Sequence, residues 1–445
     1  MSEEKAFRII QKLCENGCKS YLTGGAVRDL FFGIDPIDYD VVTEAVPDQI
    51  DEIFNGHDIR HVGRAFEVSL VDGIEVAGYR KDTYFGFSDK NVTIEPAETL
   101  EEDLARRDLT INSMAFCPYT NELIDPYHGR ADLKNRIIRF TGKPEHRIWE
   151  DPCRIIRACR FVAKIEGVFA EDTLDALCSN WHLVKHVAPE RIHIEIMKVL
   201  KYDKPSIFFE YLEYIGALEY ILPALHNLYE LDGGPYHNET VFEHSMICGD
   251  VLPKRKPLLR LAGYLHDLGK FPARKVENGE VHFKGHEIDS AELIDRDLRK
   301  LKFSNDEIIY LQNLSLLHMR SMKHITPKAI RKLLRKIKEM DVNWKDWLQL
   351  KLADDKANLK KDDYPKEKIK DFVLKIREQT KIKPCPLSIT SLDINGTSIM
   401  DFLGIEPGKK VGEILNYLLE QVLEDPELNT FEKLLELVEE KYKNE

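Results

Sequence analysis

The sequence lacks a Cys-x-x-Cys pair, an uninterrupted apolar run of membrane-spanning length, and a basic segment followed by an apolar one near its start. Its eight cysteines are scattered, a pattern that favours a reducing compartment over a disulfide framework. The missing apolar segments indicate neither secretion nor membrane insertion. We therefore expect a cytoplasmic protein with no membrane partner, and no cysteine is assigned a role.

An excess of positive charge is also missing, since 64 basic and 77 acidic residues give a net charge of −13. Contacts from Lys and Arg to phosphates dominate affinity for nucleic acids, so this balance argues against a protein that coats them. No DNA partner is expected. With 445 residues, 43% of them hydrophobic, the chain is too long for one ordinary core and should form several domains.

Hydrophobic patterning predicts a mixed α/β region first and a nearly all-helical remainder. After about Phe140 the apolar residues recur at helical spacing. Before it, the pattern predicts a helix over 6–15 ended by Gly17, a strand ending at Gly24-Gly25, a short helix from Ala26, a strand over 37–42, and a hairpin within 66–78 that turns at Asp72-Gly73. Gly233-Gly234-Pro235 and the Pro-flanked stretch 360–386 are candidate domain boundaries.

Two acids, Asp38 and Asp40, flank Tyr39 within the predicted strand 37–42. Because side chains alternate along a strand, both carboxylates should project from the same face. Converging carboxylates suit Mg²⁺, which leaves its other coordination positions to water and phosphate oxygens. An isolated Asp-x-Asp is usually a solvent-facing pair, but the residues around this one favour Asp38 and Asp40 as catalytic, metal-binding residues.

The stretch Gly24-Gly25-Ala26-Val27-Arg28-Asp29 stands just upstream, at a predicted strand-to-helix turn. Glycines let a phosphate approach the backbone, and the free N–H groups of a helix start attract anions. The guanidinium of Arg28 adds a fork of donors for a triphosphate. We therefore predict nucleotide binding by Gly25 and Arg28. The alternative is a plain Gly-Gly turn with Arg28 paired to Asp29.

Glu75 is a candidate third catalytic acid. It follows the Asp72-Gly73 turn, and its apolar neighbours Ile74 and Val76 indicate a sheet position. With two metal ions, one would activate the attacking hydroxyl and the other would steady the leaving pyrophosphate. An ordinary exposed strand glutamate fits the pattern equally well.

Together these elements resemble the nucleotidyltransferase head of the bacterial CCA-adding enzyme and poly(A) polymerase family (class II). Further motifs match that family in order over roughly the first half of the chain, namely Arg106-Arg107-Asp108-Leu109-Thr110-Ile111-Asn112, Glu150-Asp151-Pro152-Cys153-Arg154, and Ala188-Pro189-Glu190-Arg191 with Glu195. The resemblance implies that Arg107, Asp108 and Asn112 handle the ribose and triphosphate. It also implies Mg²⁺ as cofactor and tRNA, CTP and ATP as partners.

The Glu150-to-Arg154 motif resembles the element that reads the nucleobase in this family. Asp151 and Arg154 could offer an acceptor and donors to the Watson–Crick edge, so that protein side chains replace a template. Asp151 before Pro152 is also a good helix N-cap. Arg154, Arg157 and Arg160 recur every third residue, and we predict a positive ladder on one side of a helix that faces the nucleotide. The alternative is a set of surface arginines paired with acids.

The stretch from Tyr79 to Leu100 resembles the family's flexible loop, which is implied in the switch from C to A addition. Here it departs from the expected pattern, because Tyr84-Phe85-Gly86-Phe87 and the following residues lack the Arg-rich sequence of many relatives. The sequence therefore leaves open whether all three nucleotides of CCA are added or only some of them.

The second half carries His244, His266-Asp267-Leu268-Gly269-Lys270, Gly285-His286-Glu287 and Leu352-Ala353-Asp354. In this order they resemble an HD-type metal-dependent phosphohydrolase domain. Imidazole nitrogens and carboxylate oxygens suit a divalent transition metal, and we predict His244, His266, Asp267 and Asp354 as its ligands. The domain could hydrolyse phosphate esters, or it could serve mainly as a body that holds tRNA.

The fold expected is α+β, with a polymerase-β-like mixed-sheet head over 1–140, a helical neck and body over 141–232, an HD domain over 233–360 and a helical tRNA-binding tail over 361–445. The function expected is template-independent addition of C and A to the tRNA 3′ end. The alternatives are a poly(A) polymerase, an enzyme that adds only CC or only A, a protein that is chiefly an HD phosphohydrolase, or an RNA-binding scaffold. The oligomeric state is left open.

Overall fold

The structure, a computed structural model, describes residues 2–62, 68–85, 92–235, 237–322, 326–361, 365–381 and 388–443. The chain forms two compact units, the first made of Met1–His226 with Lys300–Lys302 and the second of the remaining residues. A mixed sheet lies in the first unit, and helices dominate the rest of the chain. The predicted fold class is therefore confirmed.

The first unit is built on a seven-stranded sheet in the order β3-β4-β5-β2-β1-β8-β9, in which only β2 and β5 pair in parallel. The strands of this unit are β1 (Ser20–Thr23), β2 (Asp40–Thr43), β3 (Ile59–Val62), β4 (Val68–Val71), β5 (Ile74–Gly78), β6 (Arg80–Tyr84), β7 (Val92–Pro96), β8 (Ala115–Cys117), β9 (Glu122–Ile124), β10 (Ile137–Ile138) and β11 (Val168–Phe169). Inward-facing aliphatic side chains such as Leu22 and Val76 are fully buried and hold the sheet against its helices.

Turn chemistry accounts for the predicted hairpin. Asp72 and Gly73 have φ values of 51° and 83°, and this pair of left-handed residues is the geometry that matches the twist of two antiparallel strands. Val71 of β4 pairs with Ile74 of β5 directly beside the turn. The hairpin is confirmed over 68–78, and the predicted residues 66 and 67 lie outside the described part of the chain.

The predicted strand over 37–42 is corrected at its start. The strand β2 begins at Asp40, which pairs with Thr23, the last residue of β1. Asp38 and Tyr39 precede the paired part of β2, because β1 ends at Thr23 and Gly24 turns the chain away, so that no partner strand lies beside them. Tyr39 is nevertheless buried while Asp38 and Asp40 are both exposed, so the predicted alternation of the two acids is retained.

Helices surround the sheet and form the remainder of the first unit. They are α1 (Ser2–Glu15), α2 (Gly25–Phe32), α3 (Pro47–Ile53), α4 (Leu100–Ala105), α5 (Gly129–Lys134), α6 (Pro144–Glu150), α7 (Cys153–Ile165), α8 (Glu171–Asn180), α9 (Pro189–Val199), α10 (Ser206–Tyr214), α11 (Leu218–Ile221) and α12 (Pro223–His226). The helix α7 packs against α9 and α10, and its residues Ile155, Ile156 and Val162 are fully buried. Arg154 and Arg157 of α7 face a cleft, whereas Arg160 contacts Glu195 of α9.

Two regions differ from the sequence-based expectation. The stretch compared with a flexible loop forms an antiparallel ribbon, in which β6 and β7 pair from Arg80–Pro96 to Tyr84–Val92. Residues 86–91 between these strands lie outside the described part. Short strands also interrupt the helical remainder, since β10 and β11 pair in parallel in the first unit and a small hairpin occurs in the second.

The second unit is helical apart from that hairpin. Its elements are α13 (Val241–Val251), α14 (Pro257–Leu265), α15 (Lys270–Ala273), β12 (Lys275–Glu277), β13 (Glu280–His282), α16 (His286–Lys300), α17 (Asn305–His318), α18 (Pro327–Glu339), α19 (Trp344–Ala357), α20 (Lys366–Lys381), α21 (Gly396–Leu403), α22 (Lys409–Glu424) and α23 (Phe431–Tyr442). Capping boxes begin α13 at Thr240 and α17 at Ser304. The buried Trp347 of α19 donates its indole N–H to the Leu317 carbonyl at 3.0 Å, tying α19 to the end of α17.

The described helices include none that is both long enough and apolar enough to cross a membrane.

Candidate nucleotide site and metal cluster

The first unit contains a polar cleft of about 430 Å³. It is lined by Gly24, Gly25, Arg28, Asp40, Asp82, Tyr84, Arg106, Arg107, Asp108, Asn112, Asp151, Arg154, Arg157, Phe161 and Arg191. The cleft therefore collects residues from every motif that the sequence singled out in the first half of the chain.

One wall of the cleft is the turn between β1 and α2. Gly24 has φ 63° and ψ −125°, a conformation that side chains disfavour, and α2 begins at the next residue. The backbone here lies directly beside Arg107, whose Nη2 donates to the Thr23 hydroxyl at 3.0 Å. The start of α2 and the Arg107 guanidinium thus offer positive charge at the same place, as a triphosphate requires.

Substituting Gly24 by alanine tests this wall. The new Cβ would lie 2.8 Å from Nη1 of Arg107 and the residue would be strained, so we expect a stability loss of roughly 1–3 kcal/mol and weaker binding of CTP and ATP. Gly33→Ala is the matched control, because Gly33 has φ 79° at the other end of α2 and open space around it. Thermal unfolding should report a loss for both variants, and fluorescent-nucleotide titration a loss for Gly24→Ala alone. Equal nucleotide affinity in the two variants would contradict this assignment.

Of the three candidate acids, Asp40 lines the same cleft, whereas Asp38 and Glu75 are not among its lining residues. Asp40 is the Cα partner of Glu75 across the parallel pair of β2 and β5, so the candidate third acid stands beside Asp40. The Asp40 carboxylate opens to the cleft, and its partial desolvation, followed by Glu75, raises its pKa, while Arg107 acts in the opposite direction. Asp38, Asp40 and Glu75 do not form one of the described groups of three ligands within 4.8 Å of one another.

A buried chain of hydrogen bonds crosses the floor of the cleft. Arg28 donates from Nη1 to Asn112 Oδ1 at 2.7 Å, and Asn112 donates to Asp108 Oδ1 at 2.9 Å. Asp108 Oδ2 in turn accepts from Arg157 Nε at 2.8 Å. Although burial acts to raise it, Arg157 and Asn112 hold the pKa of Asp108 well below its usual range. Arg28 also pairs with Asp29, as the alternative for the Gly-Gly turn anticipated, and Asp29 is shared with Lys164.

The predicted base-reading pair is supported by residues that the sequence analysis did not assign to the site. Arg191 binds both oxygens of Asp151, at 2.9 and 2.6 Å, while Asp151 Oδ1 also accepts from the Cys153 amide at the start of α7. Arg154 donates to Glu150 at 2.5 Å and to the Tyr84 hydroxyl at 3.3 Å. Asp151 therefore has the expected capping role as well as a place in the cleft. Arg191 belongs to the motif Ala188-Pro189-Glu190-Arg191, and its place in that motif is the feature of the sequence that could have assigned it to the site.

Arg160 requires a correction. It does not line the cleft, because its guanidinium is buried against Glu195 and donates to the Tyr202 hydroxyl at 2.8 Å. Its guanidinium also lies 4.0 Å from the centre of the Phe161 ring, which does line the cleft. The predicted ladder thus has two members facing the cleft, Arg154 and Arg157, and a third that holds α7 to α9.

A second constellation lies in the core of the second unit. His244 of α13, His266 and Asp267 after α14, and Asp354 of α19 come together as predicted. His244 Nε2 is 3.2 Å from Asp354 Oδ1, and His266 Nε2 is 3.3 Å from Asp267 Oδ2. Within the described chain, neither Nε2 atom makes a hydrogen bond although both are buried. Orphaned nitrogens facing carboxylate oxygens suit a metal ion.

Two further histidines join this cluster. His286 Nε2 and His318 Nε2 lie 3.1 and 3.5 Å from Asp267 Oδ1. His286 belonged to a quoted motif without being named as a ligand, and His318 was missed. His318 is a single histidine at the end of a helix, and no other candidate ligand stands at a recognisable spacing from it. A single sequence therefore does not identify it as a ligand.

Lysine side chains add positive charge around the cluster, which favours binding of an anion. Lys270 donates to Asp267 Oδ2 at 2.7 Å, the oxygen that also faces His266, and Lys351 donates to Asp354 Oδ2 at 2.8 Å. Although burial lowers it, these carboxylates raise the pKa of His266 to about 10. The cluster opens into a cavity of about 500 Å³ lined by Gly233, His237, Asp267, Lys270, Val281, His282, Phe283, Lys284, Gly285, His286, Glu287, His318, Met319, Lys351, Asp354 and Lys361.

The chain matches three protein families. Residues 20–139 match the "Poly A polymerase head domain", residues 169–229 the "Probable RNA and SrmB- binding site of polymerase A", and residues 287–438 the "tRNA nucleotidyltransferase domain 2". The first match contains the acids, the glycine turn and the Arg-Arg-Asp element of the cleft.

Individual relatives extend these matches. The chain is 28% identical over 447 residues to the CCA-adding enzyme of Ligilactobacillus salivarius, covering 98% of this chain and 97% of that enzyme. It is 34% identical over 330 residues to the multifunctional CCA protein of Laribacter hongkongensis, covering 71% and 79%. The Bacillus stearothermophilus CCA-adding enzyme, solved in complex with CTP, has a similar fold, with a TM-score of 0.68, 23% identity, and coverage of 99% and 98%.

Proposed function

Because the chain belongs to the family of bacterial CCA-adding enzymes and poly(A) polymerases, we propose that its first unit adds C and A nucleotides to the tRNA 3′ end without a nucleic acid template. The 3′-hydroxyl oxygen attacks the α-phosphorus of CTP or ATP. A phosphodiester bond forms, the bond to the β-phosphate oxygen breaks, and pyrophosphate leaves. The observation that carries this proposal is the cleft that joins Asp40, the glycine turn and the Asp151–Arg154 pair.

The residues of the cleft divide the work. Asp38 and Asp40, with Glu75 beside them, would hold Mg²⁺, and their acidic donor set fits that hard cation. When bound, Mg²⁺ neutralises triphosphate charge and favours deprotonation of the attacking hydroxyl. Gly25 and the start of α2 receive the phosphates, with Arg107 alongside. Asp108 holds Asn112, which in turn accepts from Arg28, so that the ribose and phosphates would meet preorganised donors.

Selection of the base falls to the far wall. Asp151 and Arg154 present an acceptor and donors to the Watson–Crick edge of cytosine or adenine, and Arg157 is the neighbouring cation on α7. Arg191 and Glu150 fix the orientation of Asp151 and Arg154 before a nucleotide arrives. A side chain held by a second hydrogen-bonded partner loses little entropy on binding, which sharpens discrimination between bases.

Extension of three tRNA transcripts tests the function. Transcripts that end before CCA, after C and after CC would each receive CTP, ATP or both with Mg²⁺. We expect completion to CCA on all three and no further growth. Addition of C alone or of A alone would reduce the activity to a partial one, and long adenosine tails would establish a poly(A) polymerase instead. Absence of any extension would refute the proposal.

Hydrolysis of a phosphate ester is a second candidate function, for the second unit. The cluster of four histidines and two aspartates next to Lys270, Lys284, Lys351 and Lys361 favours it. Water would add to phosphorus, the bond to the leaving oxygen would break, and the leaving group would depart as an alcohol. A bound divalent metal would supply a hydroxide nucleophile and a Lewis acid. The lysines would bind the other phosphate oxygens, as in a nucleotide or an RNA end.

Substituting Asp267 by asparagine should separate the two activities. Asp267 contacts four histidines and Lys270, so we expect phosphatase activity on a chromogenic phosphomonoester with Mn²⁺ or Ni²⁺ to fall on the order of 10³-fold. Nucleotide addition to tRNA should change less than about twofold. A partly buried acid of the same unit that pairs with Arg299 away from the cluster, Asp295, serves as the control when changed to asparagine. A wild-type protein with no phosphatase activity would remove this second function.

The finer organisation is part of the proposal. We propose a head over 1–140, a neck and body over 141–232, a metal-binding HD domain over 233–360 and a tRNA-binding tail over 361–445. A cytoplasmic location follows from the proposed tRNA substrate and the free cysteines of the described chain.

A further inference from the structure

We propose that Cys14 and Cys117 of the first unit form a reversible oxidation site, where a peroxide joins the two thiols as a disulfide. Both thiols are free in this structure, and both line a cavity of about 290 Å³ together with a third cysteine, Cys18. Among the described residues, none of those around this cavity also lines the nucleotide cleft. The site is therefore separate from the proposed nucleotide addition.

The fold brings these two cysteines together from distant parts of the chain. Cys14 lies in the last turn of α1, and Cys117 is the last residue of β8. The helix α1 packs against β1, and β1 pairs with β8 through Leu22 and Phe116. The helix that carries Cys14 and the strand that carries Cys117 therefore both contact β1.

The pleat of β8 directs the Cys117 side chain towards α1. Successive side chains of a strand project from opposite faces of the sheet. Phe116 packs edge to face against Phe31 of α2, with the ring centres 5.7 Å apart. Cys117, the next residue, therefore projects from the other face, where it is buried. Because Cys14 lines the same cavity, the end of α1 lies on that face as well.

Cys117 rather than Cys18 is the partner of Cys14. The Cys14 and Cys117 side chains hydrogen-bond to each other, and the Ser20 backbone N–H donates to the Cys14 sulfur. Cys18 contributes less than Cys117 to the raised pKa of Cys14, and its own thiol donates to the Asn16 carbonyl at 4.0 Å. The two thiols in mutual contact are therefore those of Cys14 and Cys117.

Exposure sets the order of the chemical steps. Cys14 is half-buried and Cys117 is buried, so hydrogen peroxide reaches Cys14 first. The Cys14 thiolate attacks a peroxide oxygen, the O–O bond breaks, and a sulfenic acid and one water form. The Cys117 sulfur then attacks the Cys14 sulfur, and the sulfenic oxygen leaves as a second water. Peroxide is thereby reduced by the two electrons that the thiols lose.

The same burial makes the step slow, and a thiol reductant reverses it. Burial, followed by Cys117, raises the pKa of Cys14 to about 11, so little of the reactive thiolate is present at neutral pH. Exchange with an external thiol restores both cysteines. We therefore expect reduced thiols under ordinary reducing conditions and a disulfide only under sustained exposure to peroxide.

Peptide mapping of the full chain tests the proposal. The reduced protein would be treated with hydrogen peroxide, alkylated, and digested without reductant by trypsin and a glutamate-specific protease. Cleavage after Lys12, Glu15 and Lys19 separates Cys14, in residues 13–15, from Cys18, in residues 16–19. We expect the peptide of Cys14 to be linked to that of Cys117, and the linked mass to disappear after reduction. Linkage of Cys117 to Cys18 instead, or no linkage at a dose that oxidises the exposed Cys178, would overturn the proposal.

Thermal unfolding of variants gives a second readout. A disulfide closing the long loop from Cys14 to Cys117 restricts the unfolded chain, so peroxide should raise the unfolding midpoint of the wild-type first unit by roughly 5–15 °C. Cys14→Ala and Cys117→Ala should show no peroxide-dependent rise. Cys18→Ala is the matched control from the same cavity and should show the full rise. Each variant is compared with its own reduced form, so a lower starting stability does not affect the result. A full rise in Cys14→Ala would contradict the proposal.

Discussion

Substituting Asp40 by alanine is expected to lower the rate of nucleotide addition to tRNA on the order of 10³-fold. Asp40 begins β2, lines the cleft and stands in register with Glu75, so its loss would remove a proposed ligand for Mg²⁺. Stabilisation of transition-state charge by a metal ion amounts to several kcal/mol, and each 1.4 kcal/mol is a factor of ten in rate. Single-turnover extension of a tRNA ending in CC, with ATP in excess, measures the loss directly.

Two comparisons make the Asp40 result specific. Asp35→Ala removes an exposed acid from the same loop, and it should extend the tRNA at nearly the wild-type rate. Gel-shift affinity of Asp40→Ala for tRNA should remain within about threefold of wild type, because the carboxylate would repel rather than attract the RNA backbone. If Asp40→Ala kept more than about a tenth of the activity, Asp40 would not be a metal ligand of the reaction.

The second large effect is expected from Asp108→Asn. Asp108 is buried and holds Arg157 and Asn112, so removing its charge leaves the Arg157 guanidinium without its counter-ion. Breaking a fully buried pair costs about 3–5 kcal/mol. Because Arg157 retains some contact with water, we expect about 2–3 kcal/mol here, together with a marked loss of nucleotide affinity.

Hydrogen exchange over α7 is the appropriate measurement, since it reports local opening within one unit of a two-unit chain. A loss of 2–3 kcal/mol corresponds to exchange about 30 to 150 times faster. The exposed pair of Asp58 and Arg60 provides the control, and Asp58→Asn should leave exchange over α7 unchanged. Unchanged protection of α7 in Asp108→Asn would show that the buried network does not hold this helix.

The sign of the pH dependence follows from the lowered pKa of Asp108. The contribution of the Asp108 carboxylate to folding stability is fully present above the pKa of the unfolded state, about 4. It is lost as the pH falls towards the pKa of the folded state. Wild-type α7 should therefore lose protection on acidification below about pH 4. Asp108→Asn should lack that part of the loss.

Sequence motifs anticipated the cleft because its residues lie close together in short segments. Gly25, Arg28, Arg107 and Asp108 belong to runs whose local structure carries them to one place, and the cleft contains all of them. Arg160 fails for a geometric reason. Three residues advance a helix by about 300°, so the third arginine of the series lies about 120° round from Arg154 and meets α9 instead.

Contacts between residues far apart in the chain could not be predicted from the sequence. Glu75 was only a candidate because its register with Asp40 depends on a parallel pairing that no local pattern encodes. His318 lies 51 positions after Asp267 on a separate helix, and only the packing of α17 against α14 brings it to the cluster. Asp38 was assigned to a strand, but β1 ends at Thr23 and supplies no partner for it.

The helix α7 has a consequence for how bases could be told apart. Arg154 and Arg157 are three residues apart on one helix, so their Cα atoms are separated by about 4.5 Å along the helix axis. Because one face of α7 is buried, the helix cannot slide, and the spacing between Arg154 and Arg157 stays constant. If bases are selected here as proposed, adjustment between a pyrimidine and the wider purine would fall to residues outside α7, such as Tyr84 of the β6–β7 ribbon, which contacts Arg154.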